Sequence, residues 1–204
     1  MTGRRRFAMG LVVLLAGQLA FLGWMIADRV NLLNSDRVVT LKTEPVDPRD
    51  IFRGDYVVLR YSISNIPLTS YKGTSDLAEG DTIYVELTEN KDGTWRAVGM
   101  NTKLSTPAKG NHIIRGRITH IFEHNPRLAP ERKEPREAPC PLCGTAQIAY
   151  GIESYFVPEG KGREIEKIRD RKALTVDIAL ADDGEAAIKS LRMDGTTIYD
   201  EPLF

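Results

Sequence analysis

The sequence predicts a mainly β domain, an antiparallel sheet or partly closed barrel with one or two short helices, behind an N-terminal transmembrane helix. Three observations predict this arrangement: an uninterrupted apolar stretch near the N-terminus, many short alternating stretches after it, and turn residues between them. At 204 residues the chain has room for one core-forming domain plus the N-terminal appendage.

The N-terminal appendage is the stretch FAMGLVVLLAGQLAFLGWMIA, residues 7–27, which carries no charge and whose one strongly polar side chain is Gln18. Twenty-one residues at helical rise cover about 30 Å, the thickness of a bilayer's hydrocarbon core. Arg4, Arg5 and Arg6 favour a cytoplasmic N-terminus, residues 1–6, and Trp24 suits the outer interface. The stretch therefore predicts a single-pass anchor in the cell inner (plasma) membrane, with the C-terminal domain extracytoplasmic.

A cleaved secretory signal is the alternative for the same stretch. Such a signal has a shorter apolar region, about 7 to 15 residues, followed by small residues at the cleavage site. Here the stretch ends Met25-Ile26-Ala27-Asp28, a poor match to that pattern. The length of the apolar stretch and the residues at its end together favour a membrane anchor over a cleaved signal.

Beyond the anchor, residues 28–37 form a polar juncture and residues 38–204 form the β domain. Within it, residues 124–144 hold five of the chain's eleven prolines and both cysteines, which predicts a loop or arm. A helix is expected from Gly162 or Arg163, across one end of the barrel. The predicted strands are 37–45, 55–63, 82–89, 95–101, 112–122, 146–157, 173–181, 185–193 and 196–200. Asp92-Gly93 predicts a hairpin between two of them.

The charge balance bears on the partners of the chain. Lysine plus arginine and aspartate plus glutamate both number 28, so no global field attracts an anionic polymer. We therefore expect no nucleic-acid role.

The densest charge lies in VDPRDIFRGDYVVLRY, residues 46–61. Asp47, Pro48 and Asp50 have the chemistry of a helix start, and Gly54 can end the turn. The strand that follows alternates. Val57, Leu59, Tyr61 and Ile63 are predicted to face the core, while Tyr56, Val58 and Arg60 face a covered surface or the wall of a groove.

The string GDYVVLRY resembles the signature of the GDYXXLXY family of bacterial envelope proteins, and a second block, YGIESYFVPEGKGREIE at residues 150–166, resembles that family as well. The residues matching the signature are Gly54, Asp55, Tyr56, Leu59 and Tyr61. The resemblance implies a membrane-anchored extracytoplasmic domain without an established activity. Some members are encoded beside multi-pass membrane proteins, which implies such a protein as a partner.

Two functions fit these residues. In the first, a binding domain, Glu153 and Tyr155 meet Tyr56 and Arg60 across neighbouring strands to line a groove for an extended peptide or a partner's loop. The candidate binding residues are Asp47, Arg49, Asp50, Gly54, Asp55, Tyr56, Arg60, Tyr61, Glu153, Tyr155, Pro158 and Glu159. The protein is then a non-catalytic accessory or binding domain for another membrane protein.

The second function is an extracytoplasmic hydrolase that uses paired carboxylates near Asp55 and Glu153. Arg49, Arg53 and Arg60 are placed to neutralise those carboxylates, so ion pairs and caps are the simpler explanation. A serine peptidase is disfavoured because residues 44–53 contain no Ser, Thr or Cys. We assign no catalytic residue.

Cys140 and Cys143 frame a CxxC knuckle that ends in a glycine. The two thiolates can supply half of a zinc site, with His120 and His124 or another subunit completing it. An oxidising compartment also permits a disulfide between them, and redox activity is a further alternative that lacks its usual βαβ context. Zinc is the one cofactor that this pattern admits.

Overall fold

The computed structural model describes residues 2–44, 56–73, 77–123, 144–156, 174–193 and 195–200. The chain begins with one long helix, α1 (Thr2–Leu33). Its portion Phe7–Leu33 has a mean hydropathy of 2.0 and is long and apolar enough to cross a membrane. No part of its most apolar window is buried inside the protein.

Helix α1 continues for six residues past the predicted end of the apolar stretch, through what was expected to be a polar juncture. Leu32 and Leu33 are 8% and 5% exposed, because both pack against Ala187 of the β domain. Burial against the domain thus keeps this last turn helical despite its polar neighbours. The helix ends where the Ser35 N–H donates to the Leu32 carbonyl over 3.0 Å.

Twelve strands follow in the described part of the chain, and every paired strand runs antiparallel to its neighbours. They are β1 (Val38–Glu44), β2 (Tyr56–Val58), β3 (Arg60–Tyr61), β4 (Asn65–Pro67), β5 (Thr82–Glu89), β6 (Trp95–Asn101), β7 (His112–Glu123), β8 (Gly144–Ala149), β9 (Ser154–Phe156), β10 (Leu174–Leu180), β11 (Ala186–Met193) and β12 (Thr196–Asp200). A single 3-10 turn lies at Leu68–Ser70.

The strands form two five-stranded sheets, in the orders β12-β11-β10-β1-β3 and β4-β8-β7-β5-β6. The short pair β2–β9 joins them, because β2 leads into β3 and β9 follows β8. The result is a nearly closed antiparallel sheet around one apolar core. The predicted fold class, a mainly β domain behind an N-terminal apolar helix, is confirmed.

The predicted hairpin is present between β5 and β6. Gly93 adopts φ +77°, a left-handed conformation that glycine takes without strain. The Asp92 carboxylate accepts hydrogen bonds from the Thr94 N–H at 3.0 Å and from the Thr94 hydroxyl at 2.6 Å. The turn residues therefore set the register of this pair.

Two predicted continuous strands are each broken in the structure. Residues 55–63 divide into β2 and β3, and residues 146–157 divide into β8 and β9. The second break is a turn at Gly151, whose φ is +80°. Simple alternation missed both breaks because a nearly closed sheet must bend where its strands pass from one layer to the other. The expected helix after Gly162 and the loop 124–143 lie outside the described residues.

Candidate functional site

The two blocks that resemble the family signature lie side by side. Strand β2 pairs with β9 in the register Tyr56 to Phe156 and Val58 to Ser154. Just beyond the pair, the Leu59 N–H donates to the Glu153 carbonyl over 2.7 Å. We name residues 58–63 together with residues 150–155 the signature junction. The strand adjacency that a groove or a carboxylate pair would require is therefore present.

Two tyrosines, one from each block, link the two halves of the signature junction and brace it. The Tyr61 hydroxyl donates to the Ile152 carbonyl over 2.6 Å, and the Tyr150 hydroxyl donates to the Ile63 carbonyl over 2.7 Å. Tyr61 is 0% and Tyr150 6% exposed. Each ring thus fills the core while its hydroxyl satisfies a buried carbonyl of the other block.

Burial raises the pKa of Tyr61 and that of Tyr150 well above the ordinary value for a phenol, and the charge of Glu153 raises both further. Both phenols therefore remain neutral hydrogen-bond donors at physiological pH. Both hydroxyl protons are donated to backbone carbonyls of the domain itself, an arrangement that suits a structural link between the two blocks.

Glu153 uses its carboxylate to hold the turn between β8 and β9. One oxygen accepts the Tyr150 N–H at 2.5 Å and the other accepts the Gly151 N–H at 3.0 Å. Both oxygens are thus engaged by backbone donors, which fixes the left-handed conformation of Gly151. The carboxylate acts here as a local cap of the kind that acidic side chains supply to turns.

The other described residues of the two blocks differ in how far their side chains are exposed. Leu59, Tyr61 and Ile63 are buried, so these three predicted core positions are confirmed. Arg60 between them is exposed. Tyr155 is 3% exposed and its ring meets the Tyr199 ring edge-on at 5.5 Å. The ring of Tyr155 therefore packs into the core, and of the two alternatives for this block the groove stays a prediction for Arg60 and Glu153.

The other predicted site residues lie outside the described residues, as does the side chain of Tyr56. They are Asp47, Arg49, Asp50, Gly54, Asp55, Pro158, Glu159, Cys140 and Cys143. His120, named as a zinc ligand, faces Glu79 with 2.6 Å between its Nδ1 and the carboxylate oxygen. Among the described residues no group of three His, Cys, Asp or Glu side chains is arranged to hold a metal. The zinc and disulfide hypotheses remain predictions.

Sequence reasoning missed the region where α1 meets the β domain. We name Leu32–Arg37 together with Ala181–Ala187 the docked end. Besides the apolar contact of Leu32 and Leu33 with Ala187, the Ser35 hydroxyl donates to the Leu180 carbonyl over 2.7 Å, and Arg37 forms an ion pair with Asp182. The signal that could have found it is Asp182-Asp183-Gly184, a turn sequence between two predicted strands.

The turn at the docked end also contacts strand β7. Gly184 adopts φ +85°, and its carbonyl accepts the Arg115 N–H at 2.7 Å. The Arg115 guanidinium lies 2.6 Å from the Asp183 carboxylate and 3.4 Å from that of Glu185. One turn therefore ties the helix to both sheets of the domain.

Two clefts open at the docked end. The larger, about 620 Å³, lies between α1 and the turn and is bordered by the carboxylates of Asp28, Asp36, Asp182, Asp183 and Glu185. Arg37 lowers the pKa of Asp182. The second cleft, about 420 Å³, is bordered by residues 104–107 and His112. Burial first, and then the charge of Arg37, lowers the pKa of His112.

Comparisons with known proteins add one relationship. No curated protein and no solved structure matches the chain. A family model described as GDYXXLXY protein matches residues 18–191, which include the second half of α1 and both blocks of the signature junction. On that match the chain belongs to the GDYXXLXY family.

Proposed function

We propose that this chain is a single-pass membrane protein whose extracytoplasmic β domain binds another membrane protein and acts as its accessory subunit. One observation carries the proposal: a long helix with an exposed apolar surface is docked onto the domain without a flexible linker. A helix that only tethers a domain to the membrane does not need to pack against that domain. A domain that must meet a partner at a fixed height above the membrane needs such a rigid attachment.

The exposed surface of α1 supports the membrane assignment. From Phe7 to Ile26 its large apolar side chains are 45 to 77% exposed, a degree that a helix of a water-soluble protein would not sustain. Arg4, Arg5 and Arg6 precede the span, and their charge favours leaving the N-terminus in the cytoplasm. We therefore propose the inner (plasma) membrane with the β domain on its extracytoplasmic side.

The docked end supports a fixed geometry between helix and domain. Four residues, 34–37, connect Leu33 to β1, and two of them are held: Ser35 by the Leu180 carbonyl and Arg37 by Asp182. So short a connection leaves little freedom for the domain to swing. A multi-pass protein in the same membrane is the partner class that such a geometry suits.

The same proposal assigns the signature junction a supporting role. Its tyrosines and Glu153 are engaged with backbone groups of the domain itself. Among the described residues, the signature junction would therefore contact a partner through exposed side chains such as Arg60. In the competing hydrolase hypothesis Glu153 would act on a substrate, and turnover by the purified protein would favour that hypothesis.

The test is a crosslinked pull-down of the full-length chain from its own membranes, with and without a flexible Gly-Ser insertion between Asn34 and Ser35. The insertion separates the helix from the domain, so we expect a stoichiometric membrane partner to be recovered with the natural chain and lost with the variant. The same residues appended after Phe204 are the control. Equal recovery from all three proteins, or recovery of the chain alone, would contradict the proposal.

A charge reversal tests the face of the junction in the same pull-down. Arg60→Glu changes an exposed side chain of β3, and Arg96→Glu changes an equally exposed one of β6. Because neither side chain is in the core, both variants should fold. We expect partner recovery to fall for Arg60→Glu and to persist for Arg96→Glu, whereas loss in both would indicate a general effect of charge.

A further inference from the structure

We propose that residues 102–111, which we name the strap loop, rest on the membrane surface and contact phosphate-bearing lipid headgroups. The proposal depends on the proposed membrane insertion of α1 and adds a second, direct lipid contact by the β domain. It assigns the strap loop a role in setting the domain's orientation on the bilayer.

The strap loop lies at the end of the domain from which α1 leaves. Leu104 and Pro107 border the smaller cleft together with Arg37, Leu180 and Asp182. Arg37 and Asp182 are the ion pair that fixes the docked end. The strap loop and the last turn of α1 are thus neighbours on one end of the barrel.

Helix length places this end at the depth of the headgroups. The 27 residues of Phe7–Leu33 span about 40 Å at helical rise, close to the full thickness of a bilayer with its polar layers. Leu32 and Leu33 at the end of that length are already in contact with Ala187 of the domain. Little space therefore remains between the barrel end and the outer headgroups.

The chemistry of the strap loop fits such a surface. Its sequence, TKLSTPAKGN, contains two lysines and no acid, in a chain whose formal charges balance overall. Lys103 and Lys109 are exposed, and Leu104 is 49% exposed. An apolar side chain beside lysines inserts into an interface while the ammonium groups meet anionic headgroups.

Hydrogen bonds within the β domain hold the strap loop in place without lipid. The Glu86 carboxylate accepts the Ala108 N–H at 3.0 Å and the Asn111 side-chain amide at 2.8 Å. Because these bonds fix the second half of the loop, contact with lipid requires little loss of conformational entropy. The Asn101 side chain adds an acceptor for the Lys103 N–H at 3.3 Å.

The domain offers a matched control at its other end. Phe122 is 51% exposed, nearly the same fraction as Leu104, and these two are the exposed large apolar side chains of the described β domain. Phe122 lies close to the end of β7, whereas Leu104 borders the cleft at the start of that strand. A strand rises about 3.3 Å per residue, so the nine steps from Ile113 to Phe122 separate the two ends by about 30 Å.

The experiment uses the full-length chain in nanodiscs, with a diazirine amino acid in place of Leu104 or, separately, of Phe122. After irradiation, intact mass spectrometry counts lipid adducts. Quenching of Trp24 fluorescence by nitroxide lipids reports insertion of α1 independently. We expect lipid adducts at position 104 and only background at position 122.

Each outcome of this experiment either supports or overturns the proposal. Adducts at position 104 alone support the proposal. Equal adduct yields at the two positions, or none at either while Trp24 is quenched, would overturn it and leave the anchor intact. If Trp24 is not quenched, the membrane insertion beneath both proposals fails. In native membranes, a protein crosslink at position 104 in place of lipid would likewise overturn it.

Lipid charge provides a second readout of the same contact. We expect the adduct yield at position 104 to rise when anionic lipid replaces zwitterionic lipid. Neutralising Lys103 and Lys109 by Lys→Gln changes should remove that rise, by up to about fivefold for each lysine. Lys91→Gln, at the exposed β5–β6 turn, is the control that should keep it. A rise that survives the double change would contradict the electrostatic part of the proposal.

Discussion

The signature junction and the docked end hold the chain together by different means. At the junction, two buried phenols donate hydrogen bonds to buried carbonyls, and Leu59 and Tyr155 fill the core around them. At the docked end, contacts are made by leucines at the rim, exposed carboxylates and two half-exposed arginines. Among the described residues, the conspicuous tyrosines of the two blocks are therefore part of the core, whereas less conspicuous side chains border open clefts.

This contrast predicts two kinds of mutational effect. A change to a buried side chain that links the two blocks of the signature junction should cost stability. A change to an exposed polar side chain of the docked end should cost little stability. The following variants compare the two regions by the size of the stability change.

The largest effect is expected at Tyr61. Tyr61→Ala removes a fully buried ring and should lower the free energy of unfolding by about 3 to 5 kcal/mol. Tyr61→Phe keeps the ring but leaves the Ile152 carbonyl without its donor, which should cost about 1 to 2 kcal/mol. Chemical denaturation of the full chain in mild detergent measures both. A Tyr61→Phe variant as stable as the natural chain would show that the brace contributes nothing.

Glu153 should come next. Glu153→Gln replaces an acceptor of two backbone N–H groups by an amide that can accept through one oxygen, and we expect a loss of about 2 kcal/mol. Glu89→Gln, at an exposed position at the end of β5, is the matched control and should change the free energy of unfolding by less than about 0.5 kcal/mol. Unchanged stability of Glu153→Gln together with lost activity on a substrate would favour the hydrolase hypothesis.

Gly184 tests the turn of the docked end against a second left-handed glycine. Gly184→Ala meets both an unfavourable φ of +85° and the Arg115 backbone nitrogen 2.9 Å from the new Cβ, so we expect a loss of about 2 kcal/mol. Gly151→Ala has the unfavourable φ alone, with no atom within 4 Å of its Cβ, and should lose about 1 kcal/mol. Equal losses would mean that the contact with β7 adds nothing.

The smallest effect is a pH dependence at the docked end. Because burial and Arg37 lower the pKa of His112, the unfolded chain binds this proton more readily than the folded chain. The free energy of unfolding should therefore fall as the pH decreases through about 6.5. Denaturation between pH 8 and pH 5.5 should show this slope, and a His112→Gln variant should reduce it. A slope that His112→Gln leaves unchanged would contradict this assignment.

Local patterns predicted much of this fold. The alternation of TIYVELTE and WRAVGMN and the Asp92-Gly93 turn gave a hairpin with the observed bounds, because all the determinants lie within twenty residues. The breaks at Leu59 and Gly151 were missed because they serve closure of the sheet, which no local alternation encodes. The extension of α1 to Leu33 depends on Ala187, more than 150 residues away.

For the candidate site, the sequence indicated which strands lie side by side better than it indicated what each side chain contacts. Two blocks that resemble one family were expected to meet, and strands β2 and β9 do pair. The inward direction was predicted correctly for Leu59 and Tyr61. Alternation alone did not assign an inward face to residues 150–157, and the turn at Gly151 shifts the alternation of the residues after it. The acceptors of the two phenols are backbone carbonyls, which sequence patterns do not identify.

The decisive experiment asks whether the buried tyrosines support the fold without themselves contacting the partner, and it measures partner recovery per folded molecule for Tyr61→Phe. The variant and the natural chain are crosslinked in their own membranes, and the recovered partner is normalised to the folded chain. The account predicts reduced stability with unchanged recovery per folded molecule. Unchanged stability with lost recovery would contradict it and would make the signature tyrosine part of the binding site.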